Sequence, residues 1–402
     1  MKNLHIRDIL LKFEGDDLSK YGLFPLFIWY LVDYVQLLKR LKPLTVKRKR
    51  NNKNPIKRRK PTFTDAQLGI GIICIILLGI KRLRKINRLL KTETQIARLI
   101  GLERFFDQVT AHRFLNEFQL WHLRQLERVS DELLRDYGEA FRQDIVVLDI
   151  DSTTHSVESR KREKAVVGYN KKNPGKPCYQ WSVGFIRGEA VAHKLYEGNT
   201  TCKAHLKDTL NLVTKKIPQP VSIVRLDGGY LSADLLDYIT RKKLTVVMGA
   251  RYDWVMAQKP EIDPDKWMPY DDKTMIYDLG MARVTSTVER EYRIILVIKE
   301  QEPFKGDRRK KVKKIRYAIL ENLPMRLDAF ALYQFYCVRQ TIENFFKEAK
   351  NPFNAGKMPS EKFRGNEAYL QFVIMAYNLF EYFKKNFCPR NGNTIRWRPF
   401  ES

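Results

Sequence analysis

Residues 144–156 read DIVVLDIDSTTHS, and the fold is decided there. Ile145–Asp151 is a β-branched run, the composition of a buried strand. Side chains alternate along a strand, so Asp149 and Asp151, two apart, share one face. Toward the C-terminus, Tyr179–Arg187 and Glu189–Tyr196 read as two more strands, with Gly188 as the tight turn between them. A helix at about 203–216 precedes the strand Val221–Leu226. Ser232 then caps a helix to about Lys243, and Leu244–Gly249 is a further apolar strand.

The order β-β-β-α-β-α-β predicts an α/β fold with a ribonuclease H-like catalytic core, in which acidic residues project from strand ends. Its first part spans 141–249. Residues 250–324 interrupt it. Pro260, Pro264 and Pro269 break up the beginning of that segment, and Met281–Ser286, Tyr292–Lys299 and Arg316–Leu320 read as strands between charged turns, a β-rich insertion subdomain. Helical periodicity returns over Leu327–Lys350 and Asn366–Phe387, so 325–402 reads as the C-terminal helices of the core.

Upstream, 63–140 is helical. Thr64 or Asp65 caps a segment running through Ile80 to Leu90, a second starts near Thr92–Thr94, and a third near Thr110 carries Phe114, Phe118, Trp121 and Leu126. The intervening cations (Lys81, Arg82, Arg84, Lys85) suit a helix-turn-helix reader of DNA as well as they suit a helical scaffold packed on the core. The segment is assigned as a helical DNA-binding region. Residues 1–62 form an N-terminal segment whose stretch 39–60, KRLKPLTVKRKRNNKNPIKRRK, holds twelve Lys/Arg and no acid. It is either a solvated linker or a phosphate-binding arm that orders on DNA.

Composition narrows the class. The chain has 402 residues, 74 Lys+Arg against 46 Asp+Glu and a formal net charge of +28, a surface suited to a polyanion such as nucleic acid. Hydrophobic residues at 44% exclude a wholly disordered chain. The five Cys form no C-x-x-C pair, which argues against a zinc module and a disulfide framework and fits a reducing cytoplasm. The apolar run Leu68–Ile80 is too short to span a bilayer, so no membrane partner is expected. No P-loop occurs, so ATP is not implicated.

The most specific feature lies near the C-terminus. On one continuous helix Tyr336, Arg339, Glu343 and Lys350 fall within an arc about 60° wide, a carboxylate flanked by two cations and a phenol. Phe345 and Phe346 mark the buried side. In IVRLDGGY, Asp227 ends an apolar strand, and Gly228–Gly229 let the backbone turn away. Unpaired acids on central strands of a basic protein are costly unless a cation compensates. Two Mg²⁺ ions, with Mn²⁺ able to substitute, would do so, because hard divalent cations take carboxylate and phosphate oxygens. A two-metal site of this kind serves an in-line displacement at phosphorus.

These residues make the chain resemble the DDE transposases of bacterial insertion sequences, in the branch with the Y-(2)-R-(3)-E-(6)-K signature (the family-four superfamily). Tyr336, Arg339, Glu343 and Lys350 match it without a spacing departure. Asp227, Gly229 and Tyr230 match the motif D-x-G-[YF], and Asp151-Ser152-Thr153 the first motif. The long interval from Asp227 to Glu343 accommodates the β insertion usual in that branch. The resemblance implies that Asp151, Asp227 and Glu343 are the metal-binding catalytic triad. It further implies that Arg339 and Lys350 hold phosphates, that Tyr336 positions the DNA end, and that an aromatic of the insertion stacks a flipped base. Trp254 and Trp267 are the candidates for that last role, unless they are core residues. Asp149 leaves the first assignment open, although the D-S-T context favours Asp151.

The function implied by the resemblance is that of a cut-and-paste transposase acting on double-stranded DNA, both element terminal inverted repeats and target. A homodimer on paired ends, and a bacterial cytoplasm where it associates with the nucleoid, complete the expectation. A nuclease without strand transfer, or a non-catalytic DNA-binding protein derived from a transposase, would use the same residues. Secondary signals are His155 beside the first motif, the cation-rich loop 158–176, and the basic tip 305–316.

Overall fold

A computed structural model describes residues 21–22, 24–46, 62–159, 161–286, 288, 290–302 and 312–387. The basic stretch 47–60 and most of the tip 305–316 lie outside them. The strands are β1 (Val146–Ser156), β2 (Val166–Val167), β3 (Pro177–Ile186), β4 (Glu189–Glu197), β5 (Val221–Leu226), β6 (Val246–Ala250), β7 (Met268–Asp271), β8 (Thr274–Ala282), β9 (Tyr292–Gln301) and β10 (Lys313–Glu321). Helices α1 (Phe24–Trp29), α2 (Leu37–Arg40), α3 (Asp65–Leu77), α4 (Ile86–Leu89), α5 (Thr94–Leu99), α6 (Gln108–Asn116) and α7 (Leu120–Tyr137) precede them. Interspersed are α8 (Cys202–Lys216), α9 (Ala233–Arg241) and α10 (Tyr252–Met256), and α11 (Ala329–Cys337), α12 (Gln340–Lys350) and α13 (Phe363–Phe387) come last.

Strand β1 is the axis. It pairs antiparallel with β3 on one side and parallel with β5 on the other; β4 lies beyond β3, and β6 runs parallel beyond β5. Three antiparallel strands followed by two parallel ones is the ribonuclease H-like order expected from the sequence. The next segment continues this sheet. β10 pairs antiparallel with β6, and β9, β8 and β7 follow in turn, so one ten-stranded sheet forms among the described residues.

Two expected boundaries are corrected. The strand placed at Met281–Ser286 is instead β8, ending at Ala282. Asp278 and Gly280 have the character of turn residues. In the fold, Asp278 pairs with Arg293 on the neighbouring strand, and Gly280 takes φ +74° where the register shifts, a bulge that only bends the strand. The single helix expected over Leu327–Lys350 is two, α11 and α12. At the joint, the Arg339 N–H donates to Tyr336 O (3.0 Å) and the Thr341 N–H to Val338 O (3.0 Å), tight three-residue closures that break the 3.6-residue period.

The period-2 alternation of β3 sorts the layers. Trp181 and Phe185 face α12 and α13, with Phe345 at 5.8 and 5.4 Å from their rings and Phe346 at 5.5 Å from Trp181. Ser182 and Gly184 face α8: the Ser182 hydroxyl bonds Thr209 at 2.9 Å, and a Cβ at 184 would approach Val213 to 2.9 Å. On β1, Leu148 and Ile150 join the α8 side, so Asp149 and Asp151 face α11 and α12.

Helix α3 starts where the sequence indicated, at the Thr64 cap with a reciprocal Gln67 box, and stops at a turn through Gly79 (φ +67°). Its residues from Leu68 to Leu77 are buried all round, so it is an interior element that packs on α13. The helical region therefore covers the C-terminal helix.

A buried polar relay fastens α13 to the sheet. Trp181 Nε1 donates to His193 Nδ1 (3.2 Å), so the other ring nitrogen carries the proton and donates to Gln371 Oε1 (2.8 Å). Burial pushes the His193 pKa down to about 3. The unfolded chain, with an ordinary value near 6.5, takes up the proton first. Stability from this histidine is full above pH about 6.5 and is lost as pH falls from there toward 3, by up to about 1.4 kcal/mol per pH unit. His193→Gln can keep both bonds and does not titrate, so its melting temperature should fall less than that of the native chain between pH 7 and pH 4.5.

Candidate active site

The site is built where β1, β5 and the α11–α12 joint meet. Asp149 of β1 stands in register with Arg225 of β5. The arginine grips it with two bonds of 2.7 Å, and both side chains are almost wholly buried. Its third bond, from Nη1, goes to the Phe335 carbonyl at 2.6 Å, and the guanidinium lies 4.9 Å from the Phe335 ring. Asp149 is thus occupied in structure. Arg225 is a residue that the sequence reading passed over; the signal was a lone arginine inside an apolar strand, IVRLD.

Asp151 lies one alternation further on and closer to solvent. Its Oδ1 accepts the Ser152 N–H at 2.7 Å, and its Oδ2 accepts from Arg339 Nη1 at 3.3 Å. The other arm of Arg339 bonds Glu343. Burial pushes the Asp151 carboxyl up to about 6 against the pull of Arg339, and the charges of Asp227 and Glu343 add to the rise. Arg339 is itself raised, since burial is outweighed by Tyr336, Asp151, Asp227 and Glu343 around it. Two carboxylates from separate elements therefore bond one guanidinium, and the charge of a third, Asp227, acts on it without a bond.

Asp227 is exposed at the end of β5, where Gly228–Tyr230 turn the chain. The turn touches β6 and α11. A Cβ at Gly249 would meet the Tyr336 hydroxyl at 2.5 Å and the Gly228 nitrogen at 2.9 Å, so only glycine fits there. Burial raises the Tyr336 hydroxyl to about 12, which keeps it protonated and able to donate.

Lys350 folds back onto β1, with Nζ bonded to Thr153 Oγ1 and to the Thr154 carbonyl (3.1 Å). Burial and the nearby charge of Lys172 lower its pKa to about 8. A cleft of about 650 Å³ runs past these groups, lined by Asp151, Asp227, Gly229, Tyr230, Lys172 and Lys350 among others. The loop 158–176 supplies part of its wall, through Tyr169–Asn173.

Trp254 and Trp267 do not line that cleft. Both are half-buried against the α8–α9 side of the core; Trp254 lies under Arg251 (5.3 Å) and Trp267 beside Tyr277 (5.3 Å). His155 is fully buried, with its ring 5.6 Å from Trp181.

The donor set suits a hard divalent ion: carboxylate oxygens only, and no thiolate or imidazole among them. Among the described residues no three His, Cys, Asp or Glu side chains come close enough to share a metal. Instead, Arg339 bonds both Asp151 and Glu343. The cation that the sequence requires beside these acids is, in this structure, supplied by the chain's own arginines.

A family model described as transposase DDE domain group 1 matches residues 7–399. No curated protein matches the chain. Among solved structures, the Mos1 transposase paired-end complex with left transposon end aligns over 57% of this chain and 78% of its own, at 11% identity and a TM-score of 0.20. Marinitoga piezophila Argonaute in complex with guide RNA and target DNA aligns over 52% and 27%, at 9% identity and a TM-score of 0.22.

Removing one partner of the Asp149–Arg225 pair strands a buried charge. Arg225→Ala should cost about 3–5 kcal/mol in urea unfolding, whereas the joint replacement Asp149→Leu with Arg225→Met should recover most of it.

Proposed function

Since the chain belongs to the transposase DDE domain group 1 family, we propose that it is a cut-and-paste transposase of an insertion sequence, with Asp151, Asp227 and Glu343 as its catalytic carboxylates. The observation that supports this reading is that Arg339 joins Asp151 to Glu343, while Asp227 lines the same cleft as Asp151. In the reaction, water opens one strand at the element end, and the freed 3′-hydroxyl then attacks the opposite strand and, later, target DNA. Two divalent ions, Mg²⁺ or Mn²⁺, held by the three carboxylates would activate the attacking oxygen and stabilise the leaving one.

The chain's own groups do the rest. Arg339 offers a planar fork that can turn from the carboxylates to a scissile phosphate and bind it in a bidentate manner. Lys350 and Lys172 line the same cleft, and a backbone phosphate bound there would relieve their repulsion. Tyr336, protonated and close to the Asp227 turn, would donate to the DNA end. The net charge of +28 supplies attraction to DNA over a wide surface, and a homodimer would bring two ends together. Among the described residues no helix is long and apolar enough to cross a membrane.

Asp151→Ala, Asp227→Ala and Glu343→Ala should each abolish nicking of a labelled element end in Mg²⁺ while leaving its binding largely intact, because affinity resides in dispersed phosphate contacts. A variant that nicks at the native rate removes that residue from the triad. Neutralising four cations of 158–176 should lower the slope of log K against log salt by about 3.6. An affinity indifferent to salt would contradict DNA as the partner.

A further inference from the structure

The cleft has an aromatic wall residue to which the proposed reaction assigns no part. Among the described residues only Trp121 and Tyr169 present exposed aromatic rings, and of the two only Tyr169 lines the cleft that holds Asp151 and Asp227. Tyr169 is 69% exposed. Trp121 by contrast is tilted against His122, with ring centres 3.5 Å apart.

The backbone beneath Tyr169 is fixed on both sides. Its carbonyl accepts from Gln180 Nε2 (2.9 Å) and from Thr154 Oγ1 (3.4 Å). Asn170, buried next to it, donates to Ser156 Oγ (2.9 Å), and Asn173 donates to the same hydroxyl (3.0 Å). These anchors tie the loop to β1 and β3, the strands that carry and support Asp151. The backbone that carries the exposed ring is thereby anchored beside the cleft. Lys171 Nζ stands 5.6 Å from the ring centre, and Lys172 lines the same cleft.

An exposed ring with no packing role, on an anchored backbone beside two lysines at the wall of an acid-floored cleft, is a stacking surface with phosphate contacts at hand. Every base has a π-face, so such a platform takes any sequence, but it needs a base that is out of the duplex stack. We propose that Tyr169, with Lys171 and Lys172, forms a subsite for unpaired nucleotides of a DNA strand lying in this cleft, so that single-stranded DNA next to a duplex end is a preferred ligand. The subsite rests on the proposed action on DNA and assigns to the loop a role distinct from that of Trp254 and Trp267.

The test is binding in EDTA, where no strand is cut, of the full chain to two fluorescein-labelled duplexes. One is blunt and the other carries an oligo-dT overhang. The overhang should tighten binding by the native chain about 5- to 150-fold, the range of one stacked base. Tyr169→Trp should keep that ratio, and Tyr169→Ala should bring it close to one with an unchanged melting temperature, because the ring is exposed. An overhang gain that persists in Tyr169→Ala, or that Tyr169→Trp also loses, overturns the stacking role. A native chain that binds both duplexes equally overturns the subsite and leaves the transposase reading standing. A native chain that binds neither removes the DNA reading and the subsite with it.

Discussion

Arg225 holds the centre of this protein together. One guanidinium satisfies a buried carboxylate on β1, a carbonyl at the end of α11 and the face of Phe335. The two middle strands and the last helices are therefore fixed by a single planar group. A buried ion pair is a poor source of net stability, because desolvation offsets most of its attraction. What it supplies here is register. With Asp149 opposite Arg225, Asp151 falls two residues further along the same face, and the α11–α12 joint that bears Arg339 is held against that face.

From that constraint the electrostatics of the site follow. Asp151, Asp227 and Glu343 repel one another, and burial makes the charge on Asp151 more expensive still. Arg339 keeps the cluster assembled by lying between two of the three. An arginine suits the position because it stays charged when buried and offers two arms at a fixed spacing. Lys350 does the opposite at the other end of α12: its pKa falls to about 8 because it is desolvated and near another cation. One helix therefore carries an arginine-paired carboxylate near its start and a desolvated lysine at its end.

The break between α11 and α12 shows how far periodicity can be trusted. Helical spacing alone puts Tyr336, Arg339, Glu343 and Lys350 on one arc, and they do meet at one site. Yet they meet through a tightened joint and through contacts to β1, β5 and β6, with Tyr336 resting on Gly249 and Lys350 folded back to Thr153. The tightened joint was not legible in the sequence, because i to i−3 closures carry no marked sequence signature.

Sequence by itself determined much. The apolar and β-branched runs in 144–249 indicated which segments are strands, since strands buried on both faces read as near-continuous apolar runs. The D-S-T, D-G-G-Y and Y-R-E-K motifs singled out acids on strand ends and on one helix, of which Arg339 joins Asp151 and Glu343. Only the tertiary structure decided which cation neutralises the acids, since Arg225 and Arg339 reach them from other elements. It also decided that β7–β10 extend the main sheet, because edge pairing between β6 and β10 depends on backbone groups that every residue carries. And it decided which aromatics are buried and which stands at the cleft: Trp254, Trp267 and Tyr169 differ in what packs against them, and packing is a property of the assembled fold.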